Sequence, residues 1–148
     1  MDKDSPRSVI EKLIETCRDG EKGYRDAAEH AKSPQVKQFF EEQSRERSSF
    51  AAELESLLAR LGESGKKESG SAVAAVHRAW IDLKSNLGGG DKGLLSAVEQ
   101  GEDNAKDTYN KALSSSLPPN VSSVVQRQAQ SIRAAHDRVK SMRDSQAA

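Results

Sequence analysis

Four long segments of the chain carry apolar residues every three or four positions, which is the spacing of an amphipathic helix. Proline marks their boundaries: Pro6 lies near the start of the first segment, Ser33-Pro34 separates it from the second, and Pro118-Pro119 separates the third from the fourth. The predicted helices cover residues 6–32, the stretch from there to Gly62, residues 92–115, and the stretch from Pro119 to about 145. Four helices of similar length constrain the fold more than any other feature of the sequence.

Composition agrees with an all-α fold. Of the 148 residues, 34% are apolar and 31% are charged, whereas only 4% are aromatic. Helices with narrow apolar stripes and wide solvated faces suit this balance, but a β-sandwich or a doubly wound sheet needs runs of buried Val, Ile and aromatic residues. Because the length is typical of one globular domain, we expect residues 1–148 to form a single domain.

The lengths of the connections predict how the helices are joined. Short turns join the first two helices into a hairpin over residues 6–61 and the last two into a hairpin over 92–145. The segment between them, 62–91, is long enough to travel the length of a bundle. A shorter helix is predicted within it from the helical spacing of Val73, Val76, Trp80, Leu83 and Leu87. This connectivity is that of a four-helix bundle with one long crossover, and we expect Trp80 to anchor the crossover helix on the bundle.

Charge and cysteine content indicate the setting in which the protein works. The 23 basic and 23 acidic residues give a formal net charge of zero, which removes the broad electrostatic attraction on which nucleic-acid or anionic-membrane binding normally depends. The single cysteine, Cys17, cannot form an internal disulfide, and the N-terminal residues lack the continuous apolar segment of a signal peptide. We therefore expect a cytoplasmic protein with no nucleic-acid or membrane partner that self-associates as a homo-oligomer, a dimer in the simplest case.

Two carboxylates interrupt the apolar stripes near the middle of their helices. Glu21 and Glu102 lie on the predicted core-facing lines of the first and third helices, and a short internal repeat, Gly20-Glu21 and Gly101-Glu102, places them at the same point of each hairpin. Burying an isolated carboxylate is expensive unless a cation, a metal or a hydrogen-bond donor compensates it. Polar residues also stand at or beside inward positions of the second and fourth helices: Gln43, Glu46, Arg47, Gln128 and His136.

Four motifs follow one another along nearly the whole chain: DGEKGYRDAAEHAKSPQVKQFFEEQSRERSSFAAEL, HRAWIDLK, QGEDNAKDTY and QRQAQSIRAAHDRV. In this order they resemble the ferritin-like superfamily, and more closely a bacterial family of small ferritin-like proteins of unknown function that is related in fold to rubrerythrin. The resemblance implies a ferritin-like bundle of two helical hairpins, and it suggests a stress-related bacterial context.

The resemblance also implies where a metal would bind. Metal-bearing ferritin-like proteins take one Glu from each of two helices and a Glu-x-x-His pair from each of the other two. Glu21 and Glu102 match the single-Glu positions, but the sequence contains no Glu-x-x-His pair, so the di-iron set is incomplete. The remaining candidates for holding one divalent ion, Fe or Mn, are Glu21, Glu46, Glu102 and His136, since oxygen-rich ligand sets suit these metals.

The alternative to a metal is a hydrogen-bonded network in the core, in which the two glutamates pair with Arg47 and with Gln43 or Gln128. The sequence contains no complete catalytic motif, and no residue is predicted to be catalytic. The leading hypothesis is accordingly a non-catalytic structural or interaction protein whose polar core network stands in place of a di-iron site. The competing hypothesis is a divalent-metal-binding ferritin-like protein with residual redox activity.

Overall fold

The structure, a computed structural model, describes residues 5–61, residue 80 and residues 90–146. These residues form four long helices and no strand. The helices are α1, Pro6–His30; α2, Pro34–Arg60; α3, Gly90–Leu113; and α4, Pro119–Ser145. The predicted all-α four-helix bundle is confirmed, with boundaries that differ by about two residues, since α1 ends at His30 and α3 begins at Gly90.

The starts of α1 and α2 are fixed by the same pair of residue types. Ser5 accepts a hydrogen bond from the backbone N–H of Ser8 at 3.2 Å, and Pro6 occupies the first helical position. Ser33 and Pro34 repeat this arrangement at the start of α2. Proline suits the first turn because its missing N–H has no partner there, while the serine oxygen satisfies one of the unpaired N–H groups. The breaks that separate the helices are therefore encoded locally.

The helices pack as two hairpins, α1 with α2 and α3 with α4, and the hairpins meet mainly through α1 and α3. Two clusters of buried apolar side chains fill the interior. One contains Leu13, Leu54 and Ile132, and the other contains Phe40 and Leu94. On the first three helices, the polar residues predicted for the core, among them Glu21, Arg47 and Glu102, occur where one cluster gives way to the other.

Asp91 links the two hairpins at one end of the bundle. Its carboxylate accepts hydrogen bonds from the backbone N–H groups of Lys32 and Ser33, each at 2.8 Å. Lys32 and Ser33 lie in the turn between α1 and α2, whereas Asp91 is in the first turn of α3. A charged acceptor therefore holds the turn of the first hairpin against the start of the second.

Trp80 belongs to the predicted crossover helix, whose other predicted residues, Val73, Val76, Leu83 and Leu87, lie outside the described residues. The Trp80 side chain is buried against α1 and α3, with its ring 5.4 Å from the ring of Tyr24. A Cβ atom at Gly23 would lie 2.1 Å from the Trp80 ring, and one at Gly101 would lie 2.5 Å from it. The prediction that Trp80 anchors on the bundle is confirmed, and only glycine at these two positions leaves room for the indole.

Within the part of the chain that the structure describes, no helix combines the length and the apolar character that crossing a bilayer requires.

Candidate functional site

A buried ion pair lies in the middle of the bundle. Arg47 on α2 and Glu102 on α3 are both 0% exposed, and Arg47 Nη2 donates to Glu102 Oε2 at 2.5 Å. Tyr24 on α1 donates its hydroxyl to the same carboxylate oxygen, also at 2.5 Å. The guanidinium of Arg47 lies over the Tyr24 ring, 5.3 Å from its centroid. Three helices thus contribute one side chain each to a single polar cluster, which we call the core triad.

Electrostatics fix the protonation states of the two donors. Burial alone would lower the pKa of Arg47, but the charge and hydrogen bonding of Glu102, together with smaller contributions from neighbouring groups, outweigh burial and hold this pKa above its ordinary value. Burial raises the pKa of Tyr24 well above its ordinary value, and the negative charge of Glu102 raises it further. Arg47 therefore stays charged and Tyr24 stays a neutral donor, so the carboxylate of Glu102 is compensated by one cation and one hydroxyl.

Several polar atoms of the triad and of its neighbours are buried without a hydrogen-bond partner among the described residues. They are Glu102 Oε1, Arg47 Nε and Nη1, Gln43 Oε1 and Trp80 Nε1. A buried polar atom that stays unsatisfied costs about 1–3 kcal/mol, so a polar layer of this kind adds less stability than apolar packing would. The donors and acceptors of this layer meet only when the helices are correctly aligned.

A second hydrogen-bonded chain crosses the core on the α4 side. Tyr109 donates its hydroxyl to Gln128 Oε1 at 2.6 Å, and Gln128 is fully buried. Gln128 Nε2 in turn donates to Glu53 Oε1 at 2.9 Å and to the backbone carbonyl of Phe50 at 3.4 Å. The sulfur of Cys17 lies 3.1 Å from Tyr109 Oη and shares a hydrogen bond with it, which extends the chain to α1.

Cys17 is unreactive in this environment. Burial raises the pKa of the Cys17 thiol to about 11, despite the opposing effect of its hydrogen bond with Tyr109. The thiolate is the nucleophilic form of cysteine, and its population is negligible at neutral pH when the pKa is this high. Cys17 therefore serves as a small core residue, in agreement with its position on the apolar stripe.

Glu21 lies at the margin of the core and not inside it, contrary to the expectation from the stripe on the first helix. Its side chain is 22% exposed and pairs with Arg18 at 3.1 Å and with Arg25 at 3.9 Å, both on its own helix. The buried face of α1 includes Gly20 and Gly23, which contact Arg47 and Trp80. Since successive helical residues are about 100° apart, a face that contains both glycines leaves Glu21 at its edge.

The other residues predicted to bind a metal with Glu102, Glu46 and His136, also lie apart from it. Glu46 is half-buried on α2, and His136 on α4 lies beside Glu99 and Asp103 of α3 instead of beside Glu102. Among the described residues, Glu21, Glu46, Glu102 and His136 do not gather into one group of metal-ligating atoms. Glu102 itself is hydrogen-bonded to a guanidinium, a donor that repels a cation. The residues present therefore do not fit a core di-iron centre, nor the mononuclear site predicted from these four residues.

The residues predicted for a core network are placed as follows. Arg47 and Gln128 are fully buried, and Gln43 is half-buried with its side-chain oxygen facing the interior. The pairing of Glu102 with Arg47, predicted as the alternative to a metal, is present. Among the described residues, Gln128 bonds to Tyr109 and to Glu53 of α2, and to no glutamate on α1 or α3. Tyr24 and Tyr109 were missed as polar partners because they also satisfy the apolar stripe. Their hydroxyls at core positions were the available signal.

Comparison with known proteins gives one family. Residues 6–115 match the model of the family described as a domain of unknown function (DUF2383). The match covers α1, α2 and α3 together with the segment between the hairpins, and it ends before α4. A search of curated proteins found no match to the chain.

Proposed function

The chain belongs to the DUF2383 family, and from this premise we propose that it is a ferritin-like bundle with a non-catalytic, structural or interaction role. In this proposal the core triad stands where metal-bearing relatives would carry metal ligands. The observation that carries it is the shared hydrogen bonding of Glu102 Oε2, which accepts from both Arg47 and Tyr24 in a fully buried position. A carboxylate with these partners needs no metal to compensate its charge.

The chemistry of the other buried groups supports a role without catalysis. Nucleophiles act in their deprotonated form or beside a base that takes their proton. Burial raises the pKa of Cys17, Tyr24 and Tyr109, and each of these groups already takes part in a hydrogen bond within the core. At neutral pH they remain protonated and enclosed, which suits structural pairing.

Self-association in the bacterial cytoplasm is part of the same proposal. A formal net charge of zero removes the long-range repulsion that keeps copies of a chain apart, and it therefore favours contact between them. The lone buried Cys17 is consistent with a reducing compartment, and the ferritin-like resemblance favours a stress-related context. Light scattering coupled to size exclusion should give the mass of a dimer, and a monomer mass at every concentration would remove this part of the proposal.

Elemental analysis tests the proposal that the core triad stands in place of a metal site. We expect protein purified without chelator to show a content of iron and manganese that is the same in the wild type and in Glu102→Gln. Glu21→Gln and Glu46→Gln change half-buried side chains, so they keep the test valid if Glu102→Gln does not fold. Stoichiometric iron or manganese that disappears in any of these variants would overturn the proposal in favour of a metal-binding protein with redox activity.

A further inference from the structure

We propose that a divalent transition-metal ion binds outside the core, between α3 and α4, on Glu99, Asp103 and His136. Each of these residues offers one ligand atom, and the three atoms lie within 4.8 Å of one another. Glu99 and Asp103 are one helical turn apart on α3, so they share a face, and His136 faces them from α4. The site is separate from the core triad and shares no residue with it.

The distances within this group suit a bound metal. His136 Nε2 lies 2.7 Å from Asp103 Oδ1 and 3.7 Å from Glu99 Oε2. With metal–ligand bonds of about 2.1 Å, neighbouring ligand atoms are about 3.0–3.4 Å apart in octahedral and tetrahedral sites. The observed separations lie on either side of this range, so small side-chain adjustments bring all three atoms to bonding distance.

The three side chains differ in exposure, which makes two of the ligands rigid and leaves a path by which a metal ion can enter. The side chains of His136 and Glu99 are 11% and 13% exposed, whereas that of Asp103 is 57% exposed. Two ligands are therefore held by packing on helices, and the third is open to solvent. A site with three protein ligands and one open side leaves room for water or for a further ligand.

The surrounding charges orient the ligands. His136 Nδ1 lies 3.2 Å from Asp137 Oδ1, and a carboxylate at this nitrogen directs Nε2 toward the metal, as outer partners of metal-binding histidines commonly do. Arg143 pairs with Glu99 Oε1 and leaves Oε2 facing His136. The carboxylates of Glu99, Asp103 and Asp137 surround the His136 ring with negative charge, which favours a cation.

The ligand types indicate the class of metal. A histidine nitrogen with two carboxylate oxygens suits Zn²⁺, Mn²⁺ or Fe²⁺, whereas Mg²⁺ and Ca²⁺ prefer ligand sets made of oxygen alone. Zn²⁺ is the more discriminating probe because it binds nitrogen ligands strongly and does not change oxidation state. Without a metal the same residues form an ordinary ion-pair cluster, which is the competing outcome of the test.

Titration calorimetry of the full chain without a histidine tag tests the proposal. We expect one Zn²⁺ per chain that Asp103→Asn and His136→Asn weaken at least tenfold, with no comparable binding of Mg²⁺. Matched controls are Asp107→Asn, an exposed carboxylate on the same helix, and His30→Asn, an exposed histidine on α1. Both controls should bind Zn²⁺ as tightly as the wild type.

Absence of Zn²⁺ binding, or equal affinity in Asp103→Asn and the wild type, would overturn the inference. Because Asp103 is largely exposed, its variant remains informative even if His136→Asn does not fold. Glu102→Gln separates this inference from the proposed function: loss of bound metal there would implicate the core, whereas unchanged Zn²⁺ affinity leaves the core triad without metal and the α3–α4 site intact.

Discussion

At the scale of single residues, the carboxylate of Glu102 is completely removed from water, so its charge has to be compensated within the core. Arg47 supplies the opposite charge and Tyr24 supplies a second hydrogen bond to the same oxygen. Attraction in a medium of low dielectric repays the loss of hydration only when the partners are held in good geometry. Each member of the triad therefore depends on the other two.

Removing the cation should be strongly destabilising. We expect Arg47→Met to lower the free energy of unfolding by about 3–5 kcal/mol, because it leaves the Glu102 carboxylate buried without its counter-charge. The double variant Arg47→Met/Glu102→Met should lose less than Arg47→Met alone, since it removes the orphaned charge. Urea denaturation of the wild type, of Arg47→Met and of Arg47→Met/Glu102→Met measures the three free energies of unfolding.

Arg18→Met is the control for this cycle, because Arg18 pairs with Glu21 and Glu55 at the surface, where such pairs contribute about 1 kcal/mol or less. If Arg47→Met and Arg18→Met were equally mild, Glu102 would have to draw its compensation from somewhere other than Arg47.

Stability should fall as the solution becomes alkaline. Burial raises the pKa of Cys17 from 9.0 to about 11 and raises that of Tyr24 and Tyr109 well above 10.0. Above pH 9 the unfolded chain begins to lose these protons while the folded chain keeps them, so unfolding becomes more favourable with each step in pH. Denaturant midpoints measured from pH 7 to 11 should be level at first and then decline.

The same experiment has an optical readout. Tyrosinate absorbance should rise together with unfolding and not before it, and the Cys17 thiol should resist a thiol reagent at pH 8 until denaturant is added. Rapid labelling of the native protein would contradict the burial that we assign to Cys17.

At the scale of elements, glycines set how closely the helices approach Trp80. Gly23 on α1 and Gly101 on α3 present bare backbone to the six-membered ring of the buried indole. Gly20, one turn before Gly23, leaves room for the side chain of Arg47 instead. A Cβ atom at Gly20 would lie 3.1 Å from Arg47 Nη1. Helical propensity would favour alanine at all three positions, so the space requirement accounts for the glycines.

Gly23→Ala should displace Trp80. Its Cβ would lie 2.1 Å from the ring, a distance that packing does not tolerate, so we expect the indole to leave its position and stability to fall by about 1–3 kcal/mol. Trp80 is the only tryptophan, and its emission should therefore move to longer wavelength. Gly20→Ala is the matched control: it crowds Arg47 and should leave the emission unchanged. An unshifted spectrum in Gly23→Ala would mean that Trp80 packs elsewhere.

Asp91 makes a separate contribution at the junction of the hairpins. Asp91→Ala removes the acceptor for the N–H groups of Lys32 and Ser33, and we expect a loss of about 1–2 kcal/mol in the free energy of unfolding. Asp107→Ala, on the exposed side of the same helix, should change it by less than about 0.5 kcal/mol. Equal effects of the two substitutions would show that the link across the hairpins adds nothing.

Element boundaries were predictable because they depend on local chemistry. Ser33-Pro34 and Pro118-Pro119 lie between consecutive helices, and Pro34 and Pro119 take the first position of the helix that follows. The position of Glu21 at the edge of the core was not predictable in the same way. Its position in the repeat matches that of Glu102, but the buried face of α1 is turned toward Gly23, and this depends on where Trp80 packs.

At the scale of the whole molecule, two hairpins form one bundle whose two apolar clusters meet at the layer that holds the core triad. The bundle and its pairing of helices followed from periodicity and connection lengths. The pairing of Glu102 with Arg47 was also predicted, as the alternative to a metal. The tyrosine partners were not, because Tyr24 and Glu102 are 78 residues apart and a tyrosine on an apolar stripe resembles any other core residue. Similarly, the placement of His136 beside Glu99 depends on the rotation of α4 against α3, which a single sequence leaves open.

The direct test of the account is an anomalous difference map from crystals grown with Mn²⁺, recorded at a wavelength where manganese scatters anomalously. We predict no peak within bonding distance of the Glu102 carboxylate, and we predict that Arg47 Nη2 and Tyr24 Oη remain hydrogen-bonded to its Oε2. A manganese peak coordinated by Glu102, with the Arg47 guanidinium displaced, would contradict the account.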